Sequence, residues 1–367
     1  MKRILILMGR YLPGHKDGGP LRTIVNLTEA LGDQYEFYIG CYDRDHGDSK
    51  AYPDIKEGSW NRIGKSKVFY VAPGGFTEDM ILRLSKNKDM IYLCNFYEVY
   101  GYKTLLLKRR GRITCPVAVA SMGVFSKEAQ AQKAFKKKAF IAVCKRMGLF
   151  KNITWSVTSE LEAFDVKRVI GKDVKYIIAE DLPRTVVPGR SRKYDGTLKI
   201  VFLSRICEHK NPGMLIDAVQ AMKNRDIEVG FYGPIQEEAY WNSCLKKLKD
   251  ADFKWKYGGD VLSEQVQEVL SGYDVFVLPS KSENYGHVIF EALSVGCIPV
   301  ISDRTPWNLE GAGYVLPLKV DSFINVLDQI AEMERRQRDK LADAAVKLAM
   351  DRVKQSKEAT GYHRIFG

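Results

Sequence analysis

Short apolar runs alternate with amphipathic stretches along this chain, and the alternation occurs twice. In residues 20–31, for example, the apolar side chains recur at helical spacing on one face, between two runs that are short enough to be strands. Such alternation is typical of a parallel β-sheet whose strands are joined by crossover helices. The strand-like runs of the first half of the chain are residues 4–8, 36–40, 68–71, 91–94 and 117–120.

A polar, basic segment separates the two occurrences of the pattern. Residues 183–196 contain proline, glycine and charge without periodicity, which is typical of a linker between domains. Beyond it the apolar runs return, with helical stretches at 214–222 and 266–270 between them. The strand-like runs of the second half are residues 198–203, 228–232, 254–257, 275–278 and 298–301.

The length of 367 residues is more than one hydrophobic core comfortably serves, so two domains are expected. We predict an α/β protein in which two Rossmann-like domains face each other across a cleft. The expected domains are residues 1–182 and 183–345. The charged, helix-favouring end of the chain, residues 346–367, is expected to form a helix that crosses back to the first domain.

The composition is that of an ordinary globular protein, with 45% hydrophobic and 28% charged residues. No apolar run reaches the roughly 20 residues that cross a bilayer. Residues 4–8 follow a basic N-terminus, as in a signal peptide, but the run is short and no small-residue cleavage site follows it. We interpret this run as a buried strand and expect a cytoplasmic protein.

Cysteine and histidine residues are dispersed along the chain. The seven cysteines include no Cys-x-x-Cys pair, and the five histidines form no metal-ligand pattern with them. We therefore expect reduced thiols, no metal and no cofactor. The formal net charge of +12 favours anionic partners such as nucleotides, phosphates, acidic lipids or nucleic acid, with a solvated basic surface as the alternative.

Part of the positive charge is concentrated in residues 127–151, where it is interleaved with aromatic and aliphatic side chains. A basic amphipathic stretch can lie on an anionic membrane, and a solvated basic helix is the alternative. Nucleic acid is not expected as a partner, because no RNA- or DNA-binding module accompanies the charge. The basic residues of this stretch are Lys127, Lys133, Lys136, Lys137, Lys138, Lys145, Arg146 and Lys151.

Residues 275–301 are the segment with the most chemical information. An apolar strand leads into a loop with Glu283, and a predicted helix that begins near His287 carries Glu291 and ends at Gly296. A helix N-terminus favours a diphosphate, and carboxylates accept hydrogen bonds from sugar or ribose hydroxyls. In open α/β domains, ligands bind at the carboxyl ends of the strands. Taken singly, the two glutamates are also compatible with a solvated loop acid and a surface helix acid.

Two other loops have ligand-binding character. The loop after the first strand of the second domain carries Arg205 and Lys210, two cations that can neutralise a diphosphate without a metal. A capped surface loop is the alternative. Residues 9–20 join the first strand to the first helix, and Gly18 and Gly19 let the backbone approach a ligand there. This loop has neither the Gly-x-Gly-x-x-Gly spacing nor a P-loop.

Together these motifs resemble the donor site of family 4 glycosyltransferases, which have the GT-B fold. The resemblance covers nearly the whole chain and is strongest in residues 200–316. It rests on Glu283 and Glu291, separated by seven residues and framed by the sequences of residues 276–280 and 296–300. In that family the first Glu lies beside the donor sugar and the second holds the ribose hydroxyls. The loop between them offers backbone N–H groups to the sugar and diphosphate.

The resemblance implies a role for each matching residue. Arg205, Lys210 and Glu283 are the expected catalytic residues. Asn284 and His287 depart from the sequence Glu-Gly-Phe-Gly-Leu that the family often has, and we expect them to bear on the identity of the sugar. The turns at 231–234 and 257–261 resemble the family's base-binding edges, although ordinary strand-to-helix turns would look similar. The expected donor-binding residues are Gly18, Gly19, Gly233, Pro234, Gly259, Val261, Asn284, Tyr285, Gly286, His287, Val288 and Glu291.

The function implied by the resemblance is retaining, metal-independent transfer of a hexosyl group. The donor would be a nucleotide sugar, with UDP as the expected nucleotide, and the acceptor a hydroxyl of a glycan or lipid-linked molecule in cell-surface polysaccharide synthesis. Residues 1–182 would bind the acceptor and residues 183–345 the donor, at the inner face of the cell membrane. The alternatives are a nucleotide-sugar epimerase or a phosphorylase of the same fold, and a non-catalytic sugar-nucleotide binding protein at the membrane.

Overall fold

The chain folds into two compact units, Met1–Leu182 with Lys357–Gly367, and Pro183–Ser356. Each unit contains one sheet flanked by helices, so the predicted α/β class is confirmed. The structure, a computed structural model, describes residues 1–131, 134–189, 196–223, 226–356 and 358–367. Lys133 of the basic stretch and residues 190–195 of the predicted linker therefore lie outside the described residues.

The first unit is built on an eight-stranded sheet in the order β3-β4-β2-β1-β5-β6-β7-β8, in which only the pair β3–β4 is antiparallel. Its strands are β1 (Lys2–Leu7), β2 (Tyr35–Tyr42), β3 (Trp60–Ile63), β4 (Ser66–Val71), β5 (Met90–Cys94), β6 (Val117–Ala120), β7 (Thr154–Val157) and β8 (Tyr176–Ile178). Its helices up to β8 are α1 (Gly19–Leu31), α2 (Glu78–Ser85), α3 (Val99–Arg109), α4 (Lys127–Ala131), α5 (Ala134–Arg146) and α6 (Glu160–Ile170).

The second unit is built on a six-stranded sheet in the order β11-β10-β9-β12-β13-β14, and all its strand pairs are parallel. Its strands are β9 (Leu198–Leu203), β10 (Ile227–Tyr232), β11 (Lys254–Tyr257), β12 (Val275–Leu278), β13 (Ile298–Ser302) and β14 (Tyr314–Leu316). Its helices are α7 (Pro212–Ala221), α8 (Glu238–Leu248), α9 (Val266–Ser271), α10 (His287–Ser294), α11 (Val320–Glu332) and α12 (Arg335–Ser356).

The central strands of both sheets are fully buried. Each residue of 275–278 in β12 has 0% of its surface exposed, and so has each residue of 4–7 in β1. Helices cover both faces of a parallel sheet, so its strands are continuous apolar runs rather than alternating ones. This is why the sequence pattern located these strands.

Four strands have no counterpart among the predicted runs, namely β3, β7, β8 and β14. Each has only three or four residues, and β3, β8 and β14 are edge strands. These three edge strands have at most one buried residue each, so no continuous apolar run marks them. Long-range pairing with a neighbouring strand therefore determines these edge strands.

The C-terminal end of the chain divides between the two units. Helix α12 is a single helix of 22 residues in the second unit, whereas the sequence analysis placed a division at 345/346, inside that helix. A last helix, α13 (Thr360–Phe366), belongs to the first unit and buries Tyr362 and Phe366 in its core. The Phe366 ring lies 5.2 Å from the Tyr35 ring, and Gly361 packs so closely that a Cβ there would overlap the carbonyl oxygen of Ile178.

Helix α12 carries charge along its whole length. Within the described ranges, no helix combines the length and the apolar composition that crossing a membrane requires.

Candidate functional site

The loops after β9 and β12 meet because these strands are neighbours in the second sheet. The first loop carries Lys210 and the second carries Glu283. The Lys210 ammonium donates a hydrogen bond of 2.5 Å to Glu283 Oε1, and the side chains are only 10% and 9% exposed. The structure thus brings two of the three expected catalytic residues into direct contact.

Buried hydroxyls and backbone groups hold the two loops together. Ser280 and Ser302 are fully buried, and the Ser302 hydroxyl donates to the Ser280 carbonyl at 2.6 Å. The backbone N–H of Lys281 donates to the carbonyl of His209 at 2.9 Å, and that of Glu283 donates to Arg304 at 2.9 Å. The position of the Glu283 side chain is therefore set by a rigid backbone rather than by a mobile loop.

His209 lies beside this pair, at the Ser282 carbonyl, and is not one of the residues that the sequence indicated. Burial lowers its pKa, the nearby Lys210 ammonium lowers it further, and Glu283 opposes the shift. A neutral imidazole with its proton on Nε2 donates to the Ser282 carbonyl, 2.9 Å away. The only indication of His209 in the sequence is its position next to Lys210. The orientation of its side chain is known only from the structure.

Arg205, the third expected catalytic residue, is at the start of the same loop and is exposed. Its Nη1 donates to Gln236 Oε1 at 2.8 Å. The Arg205 charge also contributes to lowering the pKa of His209, after burial and the charge of Lys210. The two cations therefore differ: one is buried and paired with a carboxylate, and the other is accessible to solvent.

Helix α10 begins where the sequence predicted, directly after Gly286. Gly286 has φ 81° and ψ 62°, a left-handed conformation that favours glycine, and none of the described side chains caps the helix. Tyr285 precedes it; the Tyr285 carbonyl accepts a 2.6 Å hydrogen bond from Trp307 Nε1. Val288 packs against the core. Asn284 and His287 are partly exposed on either side of this turn, and the His287 ring lies 4.8 Å from the Tyr285 ring.

The turns after β10 and β11 are linked to each other. The Gly233 N–H donates to the Gly259 carbonyl at 2.8 Å, and the Tyr257 hydroxyl donates to the Gly233 carbonyl at 2.8 Å. A Cβ at Gly233 would overlap the carbonyl oxygen of Ser204, so this glycine is required for close packing. Its neighbour Pro234 accepts a backbone hydrogen bond at 2.9 Å, which also serves packing.

The rest of this region borders solvent. Among the described residues, a Cβ placed at Gly259, which has φ 79°, would have no heavy atom within 4 Å apart from its chain neighbours. Val261 is partly buried and packs against the core. Gly259 therefore has its backbone near open space, whereas the Val261 side chain contributes to packing.

Glu291, on α10, is buried, and an arginine from the predicted linker reaches it. Arg184 Nε lies 3.4 Å from Glu291 Oε1. Arg184 Nη2 also donates to the Ser263 carbonyl at 2.6 Å. The sequence analysis missed Arg184 because it has no periodicity and was interpreted as part of a polar linker.

Gly18 and Gly19 belong to the first unit, at the beginning of α1. Gly18 has φ 59°, and a Cβ at either glycine would have no heavy atom within 4 Å. The backbone there borders open space, as the prediction of a ligand-facing loop requires. Among the described residues, no cluster of three or more His, Cys, Asp or Glu side chains could hold a metal ion.

Part of the chain matches a known family. Residues 184–347 match the family described as "Glycosyl transferases group 1". This match covers most of the second unit, including the pair of Lys210 and Glu283. No curated protein matches the sequence.

Solved glycosyltransferase structures share the fold of the whole chain. Anabaena Alr3699/HepE, in complex with UDP and glucose, is 14% identical, with a TM-score of 0.74 and 99% coverage of both chains. Sucrose-phosphate synthase from Thermosynechococcus elongatus is 15% identical, with a TM-score of 0.68 over 100% of this chain and 96% of that one. A mutant of S. aureus TarM, in complex with fondaparinux, α-GlcNAc-glycerol and UDP, is 11% identical, with a TM-score of 0.66 and 100% coverage of both. Residues 184–347 therefore match the group 1 glycosyl transferase family, within a chain that has the GT-B fold.

Proposed function

We propose that the protein is a retaining, metal-independent glycosyltransferase. It transfers a hexosyl group from a UDP-sugar to a hydroxyl of a glycan or lipid-linked acceptor in the synthesis of cell-surface polysaccharide. The observation that carries this proposal is the contact between Lys210 and Glu283 at the carboxyl ends of β9 and β12. A cation for a diphosphate and a carboxylate for sugar hydroxyls are thereby held at hydrogen-bonding distance from each other, beside the N-terminus of α10.

In the proposed reaction, the bond between the anomeric carbon and the diphosphate oxygen breaks as the acceptor oxygen bonds to the same face of that carbon. The acceptor proton passes to the departing diphosphate. Lys210 and Arg205 stabilise the charge that develops on the diphosphate, which is often the largest contribution to catalysis. Glu283 accepts hydrogen bonds from the sugar and orients it, and Glu291 does the same for the ribose. No cofactor is needed for these steps.

UDP is the proposed nucleotide because two proteins of the same fold have been solved with UDP, one from Anabaena and one from S. aureus. The N-terminus of α10, at Gly286, suits a diphosphate through its dipole. Asn284 and His287 flank that turn, and we propose that they contribute to the choice of sugar.

The test is incubation of the purified protein with a panel of UDP- and GDP-sugars, with release of nucleotide as the readout. Lys210→Ala should lower release from the preferred donor by about a hundredfold or more, because the leaving group loses its buried cation. Lys247→Ala is the matched control: Lys247 pairs with Asp217 at 2.6 Å, and both side chains are substantially exposed. It should leave the rate unchanged.

The alternatives give different results in the same assay. An epimerase would convert the sugar nucleotide into an isomer, and a binding protein would retain it without turnover. Equal rates for wild type, Lys210→Ala and Lys247→Ala would exclude the assignment of this site.

We also propose that the first unit contacts an anionic membrane at the inner face of the cell membrane. Helix α5 buries Ile141 and Cys144, and it exposes Phe135 by 85% and Val143 by 55%. Lys138 is also exposed on this helix. The sequence has no acidic residue between Glu128 and Glu160. Exposed apolar side chains on a helix whose own charges are all positive fit a bilayer that contains anionic lipids.

Vesicle sedimentation tests this contact. Wild type should bind phosphatidylglycerol-containing vesicles more strongly than phosphatidylcholine vesicles, and Phe135→Ser with Lys138→Glu should abolish the difference. The matched control is Met350→Ser with Lys347→Glu on α12, which changes an exposed methionine and an exposed lysine three residues apart. If both pairs of substitutions behave alike, α5 is not the contact.

A further inference from the structure

The first residues of the second unit are docked against two of its helices rather than extended as a free linker. Gly189 N–H donates to the Ser294 carbonyl at the end of α10, at 3.0 Å. Gln267 on α9 has its Nε2 3.4 Å from the Val186 carbonyl and 2.9 Å from the Ser294 hydroxyl. The backbone that leads away from Arg184 is therefore fixed relative to α9 and α10.

Arg184 lies at the partly buried start of this docked segment, and its guanidinium joins two parts of the candidate site. Nη2 donates to the Ser263 carbonyl at 2.6 Å and to the Ser263 hydroxyl at 3.0 Å. Nε faces Glu291 Oε1 at 3.4 Å. Ser263 lies two residues after Val261 of the predicted base-binding turn, and Glu291 is the predicted ribose ligand. The planar guanidinium of Arg184, with its fixed fork of donors, thus contacts both the end of that turn and the ribose ligand.

Arg184 and Glu291 are both largely shielded from solvent, so the loss of their contact would affect the Glu291 carboxylate strongly. The Glu291 side chain is 7% exposed and that of Arg184 is 19% exposed. A buried carboxylate that loses one of its cationic partners turns toward the donors that remain. This change makes it a poorer acceptor for the hydroxyls of a ribose.

We infer that Arg184 is a positioning residue for the nucleoside: it keeps the Glu291 carboxylate oriented toward the ribose hydroxyls of the donor. This inference rests on the proposed function, since it presumes a nucleotide in the second unit. Arg184 acts through Glu291 and is not itself required to touch the nucleotide.

Binding of UDP and of 2′,3′-dideoxy-UDP, measured by calorimetry, tests the inference. Wild type should prefer UDP by about tenfold or more, because hydrogen bonds between a charged acceptor and the ribose hydroxyls are lost with the dideoxy compound. Arg184→Gln and Glu291→Gln should each lose most of this preference. The double variant should discriminate no worse than Glu291→Gln alone, and Arg184→Lys should restore part of the preference.

Arg335→Gln provides the matched control, since Arg335 lies 3.8 Å from Asp339 on the exposed face of α12. It should keep the full preference for UDP. If Arg184→Gln weakens the binding of both nucleotides equally, or leaves the preference intact, the inference is overturned while the proposed function stands. If wild type binds neither nucleotide, the choice of UDP fails, and the inference fails with it.

Discussion

Two buried carboxylates at the carboxyl ends of parallel strands, one in each unit, are satisfied in different ways. Glu162, in the first unit, accepts hydrogen bonds from the backbone N–H groups of Gly123 and Thr158, each at 2.7 Å. Glu283, in the second unit, accepts its hydrogen bond from the ammonium of Lys210. Both glutamates follow a parallel strand, Glu162 in the first turn of α6 after β7 and Glu283 in the loop after β12, but their donors differ.

The difference teaches what each carboxylate can do. Backbone donors cannot turn away, so Glu162 locks the loop after β6 to the loop after β7. A lysine head group turns on a flexible stem, so Lys210 can share its charge between Glu283 and a bound diphosphate. Burial raises the pKa of Glu162 in spite of the hydrogen bonds that lower it.

The largest expected effect is on activity, which should depend on Glu283 much more than on Glu162. Glu283→Gln should lower the turnover of the preferred donor by about a hundredfold, because the amide keeps an acceptor for Lys210 but removes the negative charge beside the sugar. Glu162→Gln should lower it by less than about tenfold per folded molecule. The measurement is the rate of nucleotide release at saturating donor, and equal losses in the two variants would remove the distinction.

The second effect is on the stability of the fold, which should depend on Glu162. Glu162→Ala should lower the free energy of unfolding by about 3 kcal/mol, because two buried backbone donors lose their acceptor. Urea unfolding gives the magnitude, and hydrogen exchange at the amides of Gly123 and Thr158 gives the location. Glu160→Ala, on the exposed side of the same helix, should change the free energy by less than about 0.5 kcal/mol. Unchanged exchange at both amides in Glu162→Ala would contradict the structural role.

The smallest effect is a pH dependence of opposite sign in the two units. The pKa of Glu162 is raised above its usual 4.5, so the folded first unit binds the proton more tightly, and this contribution to stability is lost as the pH rises through the raised pKa. The pKa of His209 is lowered below 6.5, so its contribution is present above pH 6.5 and is lost as the pH falls through the lowered pKa.

Thermal unfolding between pH 7.5 and 5 measures both contributions. Relative to wild type, Glu162→Gln should gain stability toward neutral pH, and His209→Gln should gain it toward acidic pH. If the pH dependence of the unfolding temperature changes in the same direction in both variants, the pKa shifts have been assigned wrongly.

Prediction from the sequence worked where a segment is buried on both sides or is bounded by clear signals. The runs that became β1, β9 and β12 were located because a central parallel strand is uniformly apolar. The start of α10 was located because Gly286 marks the turn before it. The three-residue strands β8 and β14 were missed, since pairing with a neighbour rather than local pattern creates them.

In the site, the sequence indicated residue types and their order but not their partners. Lys210 and Glu283 were each predicted, and their contact spans 73 positions of sequence. His209 was not predicted, because a single histidine beside a lysine has no distinguishing pattern. Arg184 was missed for a similar reason, since its partners lie on α10 and in the turn before α9.

The sequence by itself determined the α/β class, the division into two units near residue 183 and the segments that carry the candidate chemistry, because these follow from local periodicity and turn residues. Only the tertiary structure decided which charges face each other, where α12 ends and α13 begins, and that Phe366 is buried in the first core. The physical reason is the same in each case. Contacts between distant residues depend on strand order and burial, and neither is written in any single stretch of the chain.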